Sequence, residues 1–305
     1  MTRPPAIGFA LPPDERTLAV CGALLREEPD YYELAPETTW RPPAPDAPAD
    51  APLEPNGFHA AFRALRAETG KPFVAHGVGW SPGTVRRDPA RDRRWLARLH
   101  ADHAAFGFRW YTDHLGATQL AGLELTLPLP LPMTAEMSAL VRASLAPLQA
   151  VVPDVGLENS VFYFHLGDPL DEPAFLRSAL SAPRTHLLLD LHNVLTTAVN
   201  AGIEPDRYLA ALPLERVIEI HVSGGADSDP AWLPEGRTLR LDSHDSAVPE
   251  EVWGLLADVL PRCPNVRGVT LERMEGTVGE DDVPLLREEL RRARRIALRG
   301  RMARV

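Results

Sequence analysis

Residues 185–193 read THLLLDLHN. Three leucines run into a carboxylate, and an imidazole and an amide follow at once. A short apolar run without alternation suits a strand buried on both faces, as in a parallel sheet. Its end is the anomaly, because buried polar groups are costly unless they are paired or bound to metal. The same plan recurs along the chain. AIGFA (6–10), YYELA (31–35), PFVAHGV (72–78), FRWYTDH (108–114), VGLENS (155–160), VIEIHVSG (217–224) and VRGVTLERM (266–274) bring the expected strands to eight.

Stretches with helical periodicity lie between most of these runs, over about 53–69, 88–106, 134–152, 171–181, 204–212 and 249–261. Strands that alternate with helices imply βαβ units and a parallel sheet. Eight such units in 305 residues predict an α/β fold, a TIM (β/α)8 barrel forming a single domain over 1–305; such barrels typically take about 250 residues. An open doubly wound sheet would usually carry a glycine-rich turn after its first strand. Here GFALPP follows, and no GxGxxG occurs. RPPAPDAPADAPLEP (41–55) reads as an insertion loop after the second strand, LPLPLP (127–132) as a rigid connector, and about 284–303 as a basic C-terminal helix.

Composition narrows the function. The net charge of −10 argues against a nucleic-acid backbone as general partner, although residues 291–304 are locally basic. The two cysteines, Cys21 and Cys263, form no CxxC pair, so neither a zinc ribbon nor an iron–sulfur cluster is supported. No run approaches the roughly 18 apolar residues of a membrane span, and the N-terminus lacks a long apolar segment. A cytoplasmic protein with no membrane contact is expected.

In a barrel the chemistry sits at the C-terminal ends of the strands. Read that way, the third run ends in His76, the fourth in His114, and the fifth in Glu158 and Asn159. The sixth offers Asp190, His192 and Asn193. The seventh carries Glu219 and His221, on one face by the period of two. His221 is nearer the open end and is preferred as a ligand, with Glu219 left in the interior. LDSHD supplies Asp242 and His244, and the eighth run ends in Glu272. The second leads to Glu33, an equally good interior ion-pair member, and to Glu37. Each residue alone has a bland reading: a packed histidine, a helix cap at Asp190, a solvated loop at Asp242 and His244. His100, His103, His165 and His186 read as surface or packing residues. The joint pattern of imidazoles and carboxylates without thiolate suits two or three ions of Fe, Mn, Co or Zn rather than soft copper. The glycine-rich GVGWSPG (77–83) lacks the GK[ST] of a phosphate loop and reads as a tight turn beside the metals.

Taken together, AHGVGWSPG, YTDHLG, LENSVFYF, LLLDLHNVLTTAVNAGI, YLAALPLERVIEIHVSGG, DSHDSAVPEEVW and TLERME resemble the multinuclear non-heme iron-dependent oxidases, the domain of unknown function 692, from about Ala6 to Leu285. The resemblance implies metal ligands at His76, His114, Glu158, Asp190, Asn193, His221, Asp242, His244 and Glu272. Asp113 and His192 stand as candidate catalytic residues, Asp113 as the group that orients an imidazole. The family often has HPEN where this chain has APET (35–38), and its DVNN reads DLHN here, which puts His192 at an asparagine position. The resemblance further implies a mixed-valent Fe(II)/Fe(III) centre of two or three irons, with O2 as co-substrate. It implies a ribosomally made precursor peptide modified at cysteine, and a separate partner protein that recognises the peptide leader. Two rivals stay open: a xylose-isomerase-like divalent-metal barrel, acting as isomerase or phosphodiester hydrolase, and a non-catalytic peptide-binding scaffold. The sugar-site lysine of the first is not evident, since Lys71 is the only lysine and precedes a strand.

Overall fold

Eight parallel strands close on themselves in chain order in the computed structural model, which describes residues 3–302 apart from 42–43, 45–46, 49–50, 121–122 and 162. They are β1 (Ala6–Ala10), β2 (Tyr31–Leu34), β3 (Phe73–Gly77), β4 (Tyr111–His114), β5 (Val155–Glu158), β6 (Thr185–Asp190), β7 (Val217–Val222) and β8 (Gly268–Leu271). Each pairs with its sequence neighbours, and β1 with β8 completes the ring. The barrel expected from the sequence is therefore present.

Helices cover the outside: α1 (Glu15–Val20), α2 (Gly22–Glu27), α3 (Gly57–Thr69), α4 (Pro89–Phe106), α5 (Ala135–Gln149), α6 (Glu172–Ala179), α7 (Leu191–Ala201), α8 (Pro205–Ala211), α9 (Glu250–Val259) and α10 (Val283–Met302). Local chemistry sets their ends. The Asp88 side chain accepts from Ala90 N at the start of α4, Pro89 fills the first helical position, and Gly107 closes the helix at φ 64°.

The strands alternate. Ile7, Phe9, Tyr32, Leu34, Leu157, Leu187, Leu189, Ile220, Val269 and Leu271 face outward into the main apolar core under the helices. The inward residues fill the barrel in layers. At its N-terminal end Asp154 meets Arg184, His186 and Arg267. Above lies a small apolar plug of Tyr31, Val74, Trp110 and Ile218. The Tyr31 ring fits because its neighbours are glycines: a Cβ at Gly8 or Gly268 would come within 2.3 Å of it. Over the plug, Glu219 takes hydrogen bonds from Tyr31 Oη (2.7 Å), Trp110 Nε1 (2.5 Å) and Thr270 Oγ1 (2.6 Å). The polar strand ends lie above that.

Some expected boundaries move. The run 185–193 is strand only to Asp190, and α7 begins at Leu191. The run 127–132 is not simply a connector, because Leu123–Leu129 pairs antiparallel with Ala117–Leu120 in a separate two-stranded ribbon; there, proline costs no central ladder bond. Two short helices follow β1, where six-residue stretches give too little periodicity to read. Trp40–Arg41 pairs with Glu54–Pro55 to close the base of the 41–55 insertion, of which 42–43, 45–46 and 49–50 lie outside the described residues. The basic C-terminal helix is α10; residue 303 lies outside the description. Among the described residues, no helix is long and apolar enough to cross a membrane.

Candidate metal centre

Each strand from β2 to β8 brings a carboxylate or imidazole to the C-terminal mouth at or just past its end: Glu33, His76, His114, Glu158, Asp190, His221 and Glu272. The side chains converge. Nε2 of both His76 and His114 lies near Glu158 Oε2, at 3.5 and 3.3 Å. The two imidazoles stack at 4.4 Å. His221 Nδ1 lies 4.0 Å from Glu158 Oε1, 4.0 Å from Asp190 Oδ2 and 3.0 Å from Glu272 Oε2. Its Nε2 is 3.0 Å from Glu33 Oε2.

Four overlapping triplets of ligand atoms result, each within 4.8 Å: His76–His114–Glu158, Glu158–Asp190–His221, Asp190–His244–Glu272 and Glu33–His221–Glu272. Glu158, Asp190, His221 and Glu272 each belong to two triplets, so ions held there would be neighbours sharing ligands.

Orphaned atoms mark the same spot. Asp190 Oδ2, Asn193 Oδ1, His221 Nδ1 and Glu272 Oε2 are buried without a hydrogen-bond partner among the described residues. The His221–Glu272 approach is close but lacks the alignment a hydrogen bond needs. Buried polar atoms are rarely left unpaired, and His221 Nδ1 faces both Asp190 Oδ2 and Glu272 Oε2. Nitrogen and oxygen donors of this kind fit Fe, Mn, Co or Zn.

The electrostatics point the same way. Glu33, Glu158, Asp190, Asp242 and Glu272 have only imidazoles as ion-pair partners among the described residues. Burial would strip the proton from His76, but Glu158 outweighs it and lifts the group to about 9. Against the same burial, Asp242 and Glu272 lift His244 to about 10. His221 is carried well above the usual imidazole value, burial again opposing and Glu272 and Glu33 prevailing. Asp190 goes the other way: burial, then Asp242, Glu158 and Glu272, push its carboxyl well above the usual range. Without metal, protons serve as the counter-ions. A metal cation would displace them.

Supporting contacts fix the donors. His76 Nδ1 is 3.0 Å from Thr112 Oγ1, and His114 Nδ1 is 2.9 Å from Gly77 O. These hold each ring with Nε2 toward the centre. Asp190 divides its oxygens: Oδ1 accepts from Asn193 N at 2.6 Å and caps α7, leaving Oδ2 to the centre. Asn193 Nδ2 reaches Glu158 Oε1 at 3.3 Å. His244 sits at φ 50°, a strained backbone for a side chain of this kind.

The structure brings together His76, His114, Glu158, Asp190, Asn193, His221, His244 and Glu272. Asp242 stands one step back, between His244 Nε2 (2.7 Å) and His192 Nδ1 (3.1 Å), and belongs to no triplet. His192 is fully buried, packs on Gly225 and touches Asp242 rather than the ligand atoms. Asp113 lies on the outward face of β4, where it accepts from Tyr111 Oη. The task of orienting imidazoles, expected of Asp113, belongs to Thr112 and Gly77. Glu33 joins the ligand atoms, and its inward parity with Tyr31 was the available sign. The centre opens through a cleft of about 290 Å³ walled by Leu11, Pro12, Pro13, Ala35, Thr38 and Met274.

Comparison with known proteins follows this geometry. Residues 47–298 match the family model described as "RiPP precursor modification enzyme MbnB/TglH/ChrH". A "UPF0276 protein" of Rhizorhabdus wittichii is 34% identical over 230 residues, 74% of this chain and 76% of that protein. One from Caulobacter vibrioides is 34% identical over 220 residues, covering 70% and 71%. Among solved structures, D-allulose 3-epimerase from Methylomonas sp. superposes with a TM-score of 0.55 at 15% identity, over 96% of this chain and 98% of that one. The 3-keto-D-glucoside 4-epimerase YcjR of E. coli gives 0.55 at 16%, over 95% and 99%. Likeness at that identity is a likeness of fold.

Proposed function

The chain belongs to the MbnB/TglH/ChrH family of RiPP precursor modification enzymes, and from that premise we propose that it is an iron- and O2-dependent oxidase acting on cysteine in a ribosomally made precursor peptide. The observation that carries the proposal is the overlap of the four triplets through shared carboxylates and His221. A single-ion site needs no such sharing; these residues would suit more than one ion.

In this reading His76, His114, Glu158, Asp190 and His221 would hold the iron. Glu272, His244 and Glu33 would join them, and Asn193 Oδ1 would offer a further oxygen. Iron bound there supplies the one-electron chemistry with O2 that amino-acid side chains lack. The protein's own residues do the rest. Thr112 and the Gly77 carbonyl aim the imidazoles, and Asp242 with His192 aims His244. The plug of Tyr31, Val74, Trp110 and Ile218 closes the barrel against water from below. The cleft walled by Leu11, Pro12, Pro13 and Met274 admits a peptide side chain from above. The family resemblance supports a separate leader-recognition protein as partner.

A divalent-metal sugar epimerase on the same barrel is supported by fold alone. Elemental analysis of anaerobically purified protein, with Mössbauer spectroscopy on iron-57 material, separates the two. Two or three coupled irons per chain support the oxidase. Zinc, manganese or magnesium after growth with ample iron would favour the epimerase-like barrel, and a metal-free protein would sink both. Glu158→Gln tests the scaffold alternative: a variant that stays folded but loses turnover supports catalysis.

A further inference from the structure

Beside the metal centre lies a second cavity, of about 300 Å³, that the proposed chemistry does not use. The turn Pro36–Thr39 divides the two: Thr38 lines the cleft over the centre, and Glu37 lines this cavity. Its other walls include Gly79, Arg41, Arg91, Arg94 and Trp95. Gly79 lies three residues beyond His76 on the exit from β3, so both spaces are built on the same two strand ends.

Trp95 is 3% exposed, and its Nε1–H has no acceptor among the described residues. It packs against Trp40 and Trp80, with ring centroids 5.3 and 5.2 Å away. The indole N–H groups of those two are satisfied, by Asp102 Oδ2 at 2.6 Å and Ser144 O at 2.8 Å. Trp110 and Trp253 also have acceptors. Trp95 is therefore the exception among the buried tryptophans, and a buried donor is costly to leave unmet.

Glu37 offers the complementary half. Its Oε1 accepts from the backbone N–H of Val78 and Gly79, while Oε2 is buried without a partner among the described residues. A Cβ built on Gly79 would lie 3.1 Å from Glu37 Oε1 and 3.4 Å from Trp95 Nε1, so the Glu37 carboxylate and the Trp95 donor flank one glycine. Arg94 adds a buried Nε without a partner, although its neighbours Arg91 and Arg98 are paired with Glu124 and Asp102. An adjoining cavity of about 450 Å³ shares Arg94 and adds Arg93. On the walls of the smaller cavity Arg41, Arg91 and Arg94 outnumber Glu37 and Glu124, in a chain of net charge −10.

We propose that this cavity seats an extended, acidic segment of the precursor peptide. As the segment enters, the walls part enough for one peptide carbonyl to accept from Trp95 Nε1–H and one peptide N–H to donate to Glu37 Oε2, both closed to solvent in this structure, and an acidic side chain meets Arg94 and Arg41. A peptide unit supplies both a donor and an acceptor. An inorganic anion supplies acceptors alone and would face the Glu37 carboxylate. The segment held here lies one turn of backbone from the cleft, which sets the spacing between the acidic residue and the residue modified. The inference rests on the reading of the chain as a peptide-modifying enzyme.

The test is selection of short random peptides by display on the intact, metal-loaded protein. The selected peptides are expected to be enriched in Asp and Glu. They are expected to bind Trp95→Phe, which keeps the ring and loses the donor, and Arg94→Gln about tenfold more weakly or worse, a loss of the size one charge-assisted hydrogen bond supplies. The iron content of both variants should equal that of the parent. A consensus without acidic residues, no enrichment at all, or binding unchanged in both variants overturns the inference while leaving the oxidase reading intact. Acidic peptides bound at this site by a protein that carries no iron would overturn the oxidase reading and leave the inference standing.

Discussion

Both ends of the barrel place acids beside imidazoles, and they settle them differently. At the N-terminal end Asp154 meets Arg184, His186 and Arg267 at 3.0 to 3.1 Å, and both its oxygens are satisfied. Burial would raise its pKa, but those partners hold it well below the usual range. At the C-terminal end five carboxylates share imidazoles alone, and four ligand-bearing atoms have no hydrogen-bond partner. The first end is electrostatically complete in the chain as written. The second keeps buried acceptors that a bound cation would satisfy. A finished charge cluster serves stability, whereas an unfinished one is held by the rest of the fold for the sake of what it binds.

Variants at the two ends should accordingly fail in different assays. The largest effect is expected for Asp190→Asn and Glu158→Gln. Asparagine keeps the α7 cap, so the fold should persist. Metal affinity should fall by more than the ~10–100-fold that supporting contacts carry, read by elemental analysis after dialysis against chelator. Unfolding of Asp190→Asn would break the comparison. Thr112→Val should cost about that 10–100-fold in metal affinity by freeing the His76 ring, with little change in melting temperature.

Asp154→Asn should do the reverse. It leaves Arg184 and Arg267 without their acid at a cost of roughly 1–3 kcal/mol, less than a fully buried pair because both arginines are half-exposed. Metal content should not change. Chemical denaturation and elemental analysis on one preparation check both halves.

Titration sharpens the contrast. The depressed Asp154 contributes stability above the unfolded value of about 3.9 and loses it as pH falls below that. His76 and His244, raised to about 9 and about 10 without metal, contribute fully below their unfolded value of about 6.5. They lose that contribution as pH rises toward 9 to 10. Metal-free protein should therefore melt at lower temperature as pH climbs from 7 to 10. Metal-loaded protein, whose imidazoles are already neutral, should not. Equal slopes with and without chelator would contradict this. The smallest effect is expected for His186→Asn, roughly 0.5 kcal/mol, because Asp154 keeps two arginines.

The barrel was legible because each strand is a short apolar run and those after β1 end in chemistry, and the ends of those runs named most of the residues that converge. What escaped the sequence depends on which way a side chain points. Asp113 could have been excluded by parity: with Thr112 and His114 inward, Asp113 faces out. The same parity places Glu33 inward beside Tyr31, although its contact with His221 across the barrel cannot be read from neighbours in sequence. Asp242 lies in a long irregular segment after β7, where no period reveals that it sits between two imidazoles. The Trp95 donor was hidden because helical periodicity gives the buried face of α4 and says nothing of which polar atoms on that face find partners.

The divided carboxylate of Asp190 limits what evolution can do at that position. One oxygen starts a helix and the other faces the centre, so two requirements fall on a single codon. Asparagine keeps the helix and drops the charge; glutamate keeps the charge, but its longer arm is a poor cap. Neither step is neutral, and no neighbour can take over one duty while the other is retained. A lineage that abandons this chemistry would be free to lose His114 or Glu272 first, yet it should keep an aspartate or asparagine here. The residue at this position thus records whether a relative has kept the fold alone or the fold together with its centre.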